Sequence, residues 1–251
     1  MLKTNFKMEN KILTFGFLIL LFSSCSIVYY PNRLNVPLLS SEKEFVANGA
    51  AGANGVDVQA AYAVNEFFAL QVSGNTYYSS NEYQRNSHQY GDFGFGYYLK
   101  TDKLFKFEIF AGVGAGKGDD KKYDNGIVND YAQGYYYKIF VQPNIGLSND
   151  YFDFAFSTRL SNVNFYNYSS TYTGIPINGV YQRELENGPF LFNTLYIEPA
   201  ITAGLGYKFI KATAQIGFAL PVYEPSYDYN PLIMNLGFQV KIKSKHKTVA
   251  E

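Results

Sequence analysis

The sequence predicts an all-β fold: an antiparallel, up-and-down transmembrane β-barrel of about ten strands, with eight as the alternative. Three observations predict it. Apolar residues recur with a period of two in segment after segment, tight turns alternate with long polar connections, and aromatic residues gather near the ends of the expected strands.

The first expected pair, residues 45–53 and 56–64, is rich in Ala and Gly and is joined at Asn54-Gly55, a strong two-residue hairpin signal. If this pair lay outside the barrel, eight strands would remain. Three further strands start near Phe67, Tyr90 and Tyr151. In the next, Phe105, Phe107, Ile109, Ala111 and Val113 oppose Lys106, Glu108, Gly112 and Gly114. Tyr137, Ile139, Val141 and Ile145 then oppose Lys138, Gln142 and Asn144. The last three segments alternate most cleanly. Leu195, Ile197, Ile201 and Leu205 oppose Tyr196, Glu198 and Thr202; Ile210, Ala214 and Ile216 oppose Lys211, Thr213 and Gln215; Leu232, Met234, Leu236 and Phe238 oppose Asn235, Gly237 and Gln239.

Alternation alone also fits a soluble sandwich, so the connections decide. Asn65-Glu66, residues 101–103, 148–150 and Lys208-Phe209 read as tight turns, whereas residues 79–89, 117–134, 163–193 and 223–230 read as long polar loops. Regular short and long alternation is the pattern of outer-membrane barrels, with short periplasmic turns and long external loops. Backbone groups in hydrocarbon have no water to bond, so such a sheet must close. Tyr77, Tyr78, Tyr90, Tyr135 and Tyr223 are expected in one interfacial girdle, with Phe68, Tyr97, Phe105, Phe152 and Tyr207 in the other.

Composition narrows the function. Lys+Arg and Asp+Glu are equal at 21 each, so no net field draws nucleic acid, and no nucleic-acid partner is expected. The chain holds 24 Tyr and 22 Phe without Trp, yet its mean hydropathy is slightly negative, as expected when outward apolar and inward polar residues cancel. One Cys and two His exclude an internal disulfide and leave few soft metal ligands, so neither metal nor cofactor is expected.

Residues 1–24 read as a lipoprotein signal peptide: Lys3, Lys7 and Lys11 precede the apolar run 12–22, which is shorter than the about 20 residues a spanning helix needs. Ser23-Ser24 before Cys25 resembles the lipobox of bacterial lipoproteins, although Phe22 stands where Leu is usual. The resemblance implies acylation of Cys25, palmitate included; ordinary cleavage with an incidental thiol is the alternative. Residues 25–42 are expected to be a lipidated Cys and a periplasmic tether, 43–244 the barrel, and 245–251 a polar tail that includes His246.

On these residues the chain resembles the small outer-membrane β-barrel proteins of Gram-negative bacteria, the OmpA-like or porin-type superfamily, over residues 45–243. The resemblance implies residence in the bacterial outer membrane, with outer-membrane lipids and the barrel-assembly machinery as partners. The lack of an acidic cluster in Ser26-Ile27-Val28-Tyr29 favours a lipid anchor on the periplasmic side, and the alternation of short and long connections places both chain ends there, on the short-turn side. Such barrels commonly end on an aromatic residue; here Ile242 is followed by nine more residues.

No catalytic constellation emerges. His88 is expected at a solvated rim near Asp92 and Asp119-Asp120, without diagnostic spacing, and no Gly-x-Ser-x-Gly elbow exists. Gly112, Gly114 and Gly116 alternate within a strand and precede no helix, so they read as small lumen-facing residues rather than a phosphate loop. Asp119, Asp120, Asp124 and Asn125 could hold a hard cation or simply be solvated. Glu108, Lys138, Asp153, Arg159 and Glu198 are expected to point inward as a charged lumenal network, because buried ions must pair. The expected role is noncatalytic, structural or interactive, with an extracellular protein or glycan met through a loop carrying Tyr166, Tyr168, Tyr172 and Tyr181. A narrow small-solute channel is the alternative, and an outer-membrane enzyme a distant one.

Overall fold

The computed structural model describes residues 27–173, 183–188 and 192–243; Cys25, the signal segment, Tyr181 and the tail with His246 lie outside the described residues. Ten strands form the wall: β1 (Phe45–Gly52), β2 (Gly55–Ala63), β3 (Phe68–Ser80), β4 (Gln84–Tyr98), β5 (Phe105–Asp124), β6 (Ile127–Ser148), β7 (Phe152–Thr173), β8 (Phe192–Tyr207), β9 (Ile210–Phe218) and β10 (Leu232–Ile242). Each pairs antiparallel with its neighbours in the chain, and β10 returns to β1, from Asn235↔Gly52 to Ile242↔Phe45. The sheet therefore closes into a ten-stranded up-and-down barrel, with the Ala- and Gly-rich first hairpin inside it.

The alternation seen in the sequence is the alternation of the wall. On β4 the odd positions Phe93, Phe95 and Tyr97 face outward and are exposed, whereas Asp92 and Tyr98 are buried inside. Outward positions elsewhere are equally apolar and open, Val58 at 65% and Leu236 at 69% exposure among them. Contiguous exposed apolar faces of this extent are rare on soluble monomers and mark a surface that meets another apolar phase or partner.

The turns at one rim are as tight as expected. At the other rim the expected long loops are mostly strand. β3 and β4 run on to a short turn at residues 81–83, and β5 and β6 to Asn125-Gly126, whose φ angles of 49° and 78° are those of a two-residue hairpin turn. The polar residues of 117–134 thus form a projecting hairpin rather than irregular loop. Beyond β7, Arg183–Gly188 adds a strand at Tyr168–Thr173.

The largest departure concerns residues 27–42, expected as a tether outside the barrel. Ile27–Tyr29 pairs in parallel with Asp228–Tyr229 at the long-hairpin rim, and residues 28–40 are all buried. The chain descends the lumen as an extended strap, reaches the short-turn rim where Thr101 N donates to Ser40 O at 3.2 Å, and turns into β1. Ile27 and Ile242 consequently lie at opposite ends of the barrel, whereas the segments entering and leaving it were both expected at the short-turn side. Two girdle assignments also change: Tyr90 is buried in the lumen, and Tyr77 leans inward to stack on the strap's Tyr30 with ring centroids 4.7 Å apart.

The interior glycines make room for this filling. A Cβ at Gly112 would lie 2.5 Å from the Phe140 ring, at Gly114 2.3 Å from Tyr90 Oη, and at Gly118 1.9 Å from the strap's Val28 O. Gly114→Val is expected to lower barrel stability by about 1–3 kcal/mol through overpacking. Gly49→Ala, where a Cβ meets nothing within 4 Å, is expected to be neutral or mildly stabilising. Urea midpoints of the two variants refolded in detergent check the contrast.

Candidate functional site

The lumen is the place where this chain gathers its polar chemistry, and the strap sits at its centre. All wall strands are satisfied laterally by their neighbours, so below the short Ile27–Tyr29 pairing the extended segment in the lumen finds no strand edge to pair with. Its backbone must be met by side chains. At mid-height Arg33 N donates to Asp57 Oδ1 at 3.2 Å, and Gln59 Nε2 donates to Arg33 O at 2.8 Å. Gln215 serves Leu34 on both sides, accepting from its N at 2.9 Å and donating to its O at 3.0 Å. Gln142 Nε2 donates to Asn35 O at 2.6 Å, Leu39 N donates to Glu108 Oε1 at 2.6 Å, and Lys241 Nζ donates to Leu38 O at 2.8 Å. The Arg33 guanidinium donates to Asn235 Oδ1 and Thr213 Oγ1 at 3.0 and 3.1 Å.

The five charges expected to face inward all do so, but not as one network. Arg159 and Glu198 are directly opposite on β7 and β8 and form a buried ion pair. Glu198 also accepts from Ser161 Oγ at 2.8 Å and from the strap's Tyr29 hydroxyl at 3.2 Å. Lys138 reaches this group only through the strap: its Nζ donates to Asn32 Oδ1 at 2.9 Å and lies 4.2 Å from the Tyr90 ring centre, while Arg159 Nη2 donates to Asn32 O at 3.0 Å. Glu108 stands apart, held by Leu39 and by Asn144 Nδ2 at 3.1 Å. Asp153 lies near the short-turn rim and pairs with Lys211 at 2.7 Å. Sequence reasoning missed Arg33, Asn32, Lys211 and the Glu44–Lys241 pair, the first two because the strap carries no period.

Apolar layers bracket the polar middle, which makes the interior less uniformly polar than expected. Toward the long hairpins, Tyr29 packs edge-on against Tyr136 at 5.4 Å and beside Tyr196 at 5.2 Å, in a cluster with Tyr90, Phe165 and Tyr227. Lower down, Leu34, Val36 and Leu38 pack on Ala155, Ala200 and Ile233.

His88 is part of this filling and not of a solvated rim. It is buried, with Nε2 2.6 Å from Tyr136 Oη and Nδ1 3.2 Å from Asn75 Oδ1, and its ring centre is 5.6 Å from that of Tyr30. Asp92 is instead approached by Asn32 Nδ2 at 3.4 Å. The acidic residues of the next hairpin do not converge either. Asp119 pairs with Lys121 at 3.4 Å, Asp120 is buried and accepts from Gln84 and Asn86 at 2.7 and 3.0 Å, and no cluster of metal-ligating side chains occurs among the described residues.

At the short-turn rim Glu44 clamps the strap's exit. Its Oε2 accepts from Ser40 N at 2.7 Å, Ser40 Oγ at 2.8 Å and Ser41 N at 3.0 Å, and its Oε1 lies 3.5 Å from Lys241 Nζ. Burial pushes the Glu44 carboxyl up, but the Lys241 ammonium and the Ser40 hydrogen bonds outweigh it and hold it below the ordinary carboxylate value.

Two outcomes are expected. A depressed carboxylate stabilises above its unfolded value of about 4.3 and loses that contribution as pH falls through the folded value. Protease resistance of the strap's lower end should therefore weaken in acid below about pH 4.3, and Glu44→Gln should weaken it at neutral pH and flatten the profile. Arg159→Ala, which leaves Glu198 buried and unpaired, should cost about 3–5 kcal/mol in urea unfolding, and Arg159→Met with Glu198→Leu should recover much of it. No protein-family model matches the chain and no curated protein is significantly similar to it, which leaves the strapped lumen and the outer face to speak for function.

Proposed function

We propose that this chain is a noncatalytic outer-membrane β-barrel lipoprotein with a structural or surface-interaction role, its lumen closed by its own N-terminal strap. The observation that carries the membrane part is the outward belt. On β5 the outward residues run apolar from Phe105 to Ala115 and turn polar at Lys117. At about 3.3 Å per residue and a tilt of about 40° this stretch makes a belt about 25 Å tall, the height of a barrel's lipid-facing band.

Strands β5, β6 and β7 have 20, 22 and 22 residues, about twice the 9–11 that a crossing strand needs. Their surplus projects from one rim as sheet rather than loop and carries exposed Ile127 at 73%, beside the β3–β4 turn with exposed Tyr83 at 72%. Such a platform suits contact with an extracellular protein or glycan better than a mobile loop does, because little conformational freedom is lost on binding. Acylation of Cys25 belongs to this reading with the acyl chains on the long-hairpin side, where Ile27 lies, in place of the periplasmic side expected from the sequence. Intact mass of the mature chain tests it.

The filled lumen disfavours the small-solute channel. Purified full-length chain should float with vesicles in urea, shift mobility on boiling as folded barrels do, and give no conductance steps in planar bilayers. Recovery of the chain in the soluble fraction would reject the barrel reading, and steady conductance would reject the closed lumen.

A further inference from the structure

The outer wall carries a depression that packing does not require. Cross-strand register sets two rows side by side. The lower row is Val58, Gly74, Gly91, Ala115 and Tyr137, and the upper row is Val56, Thr76, Gln89, Lys117 and Tyr135. The depression is shallow and open, with a volume of about 660 Å³. Val56 and Val58 wall one side. On the other, Tyr166 lies against Tyr135 and Tyr137, with ring centres 6.4 Å apart in both pairs. Below the floor the belt resumes with exposed Phe93 and Val113.

Gly74 and Gly91 differ from the interior glycines. A Cβ would meet nothing nearer than Tyr90 O at 4.0 Å or Ser73 O at 3.7 Å, and neither has a positive φ. Glycine within a strand is unfavourable without a reason such as close approach of another group. Lys117 points outward at the upper edge of the floor and makes no ion pair among the described residues, whereas Asp119, the next outward residue, is engaged by Lys121 at 3.4 Å. An open cation thus stands at the height where the outer face changes from apolar to polar, directly above an apolar, concave floor.

We propose that this depression binds an anionic phospholipid, with its phosphate at Lys117, polar headgroup atoms at Gln89 and Thr76, and acyl chain across Gly74, Gly91 and Ala115. The inference rests on the membrane-barrel reading. A second copy of the chain is a poorer occupant, because it would set its own exposed apolar wall against Lys117 and leave that cation unpaired.

The full chain, reconstituted in vesicles of equal phosphatidylglycerol and phosphatidylcholine and extracted in mild detergent, is examined by native mass spectrometry. One phosphatidylglycerol should be retained in preference to phosphatidylcholine. Lys117→Gln should lower its retention about fivefold, the equivalent of about 1 kcal/mol for one lysine at an anionic surface, and Lys117→Arg should preserve it. Gly91→Leu, which fills the floor, should reduce retention of both lipids, with boiling-dependent mobility showing that each variant has folded. Equal retention of the two lipids, indifference to Lys117→Gln, or a mass of two chains in place of a lipid adduct would overturn the site. Failure of the wild-type chain to float with the vesicles would instead overturn the membrane reading beneath it.

Discussion

An extended backbone inside a closed barrel finds no free edge of the wall to join, and below the short Ile27–Tyr29 pairing most of this interior follows from that constraint. Each strand has both edges occupied by its neighbours, so the strap's N–H and C=O groups must be met by side chains from the wall. The inward positions are accordingly long and hydrogen-bonding: Gln59, Gln142 and Gln215 reach the strap's backbone from three different strands, and Glu108 and Lys241 reach it from two more. Leaving any one of these backbone groups unmet would cost about 1–3 kcal/mol. The strap's own side chains reciprocate, Arg33 toward β9 and β10 and Tyr29 toward β8.

The same constraint explains how the barrel tolerates buried charge. Arg159 and Glu198 pair across a register position, yet each also contacts the strap, and Lys138 is compensated by Asn32 and by the face of Tyr90. The polar middle lies between aromatic and aliphatic layers, an apolar setting that strengthens these interactions and makes the loss of any partner expensive.

How much of this was legible depended on periodicity. The wall was, because inward and outward positions differ in chemistry and strictly alternate; strand positions, closure and the tight turns followed. The projecting hairpins were not, since beyond the belt both faces are wet and the alternation that betrays a strand fades; Asn125-Gly126 was the one available signal. The strap was not, because an irregular extended segment has no period at all. Its composition was the clue: Leu34, Val36, Leu38 and Leu39 between Pro31 and the polar run at Ser40 are too apolar for a solvated tether. Tyr90 was misplaced although it shares parity with inward Asp92, and parity would have outranked its position near a strand end. The inward charges were legible as residues but not as pairings, because their partner was the segment taken to lie elsewhere.

The seam between β10 and β1 joins the two ends of the wall, Phe45 to Ile242, across the whole intervening chain. The strap runs directly into β1 through Glu44, so it belongs to the strand that closes the circle. A closed, ready-filled cylinder offers no room to draw Tyr29 and Arg33 through afterwards. The finished geometry therefore favours one order of assembly, in which the N-terminal segment is laid along the concave sheet while it is still an open trough and the last strand closes over it.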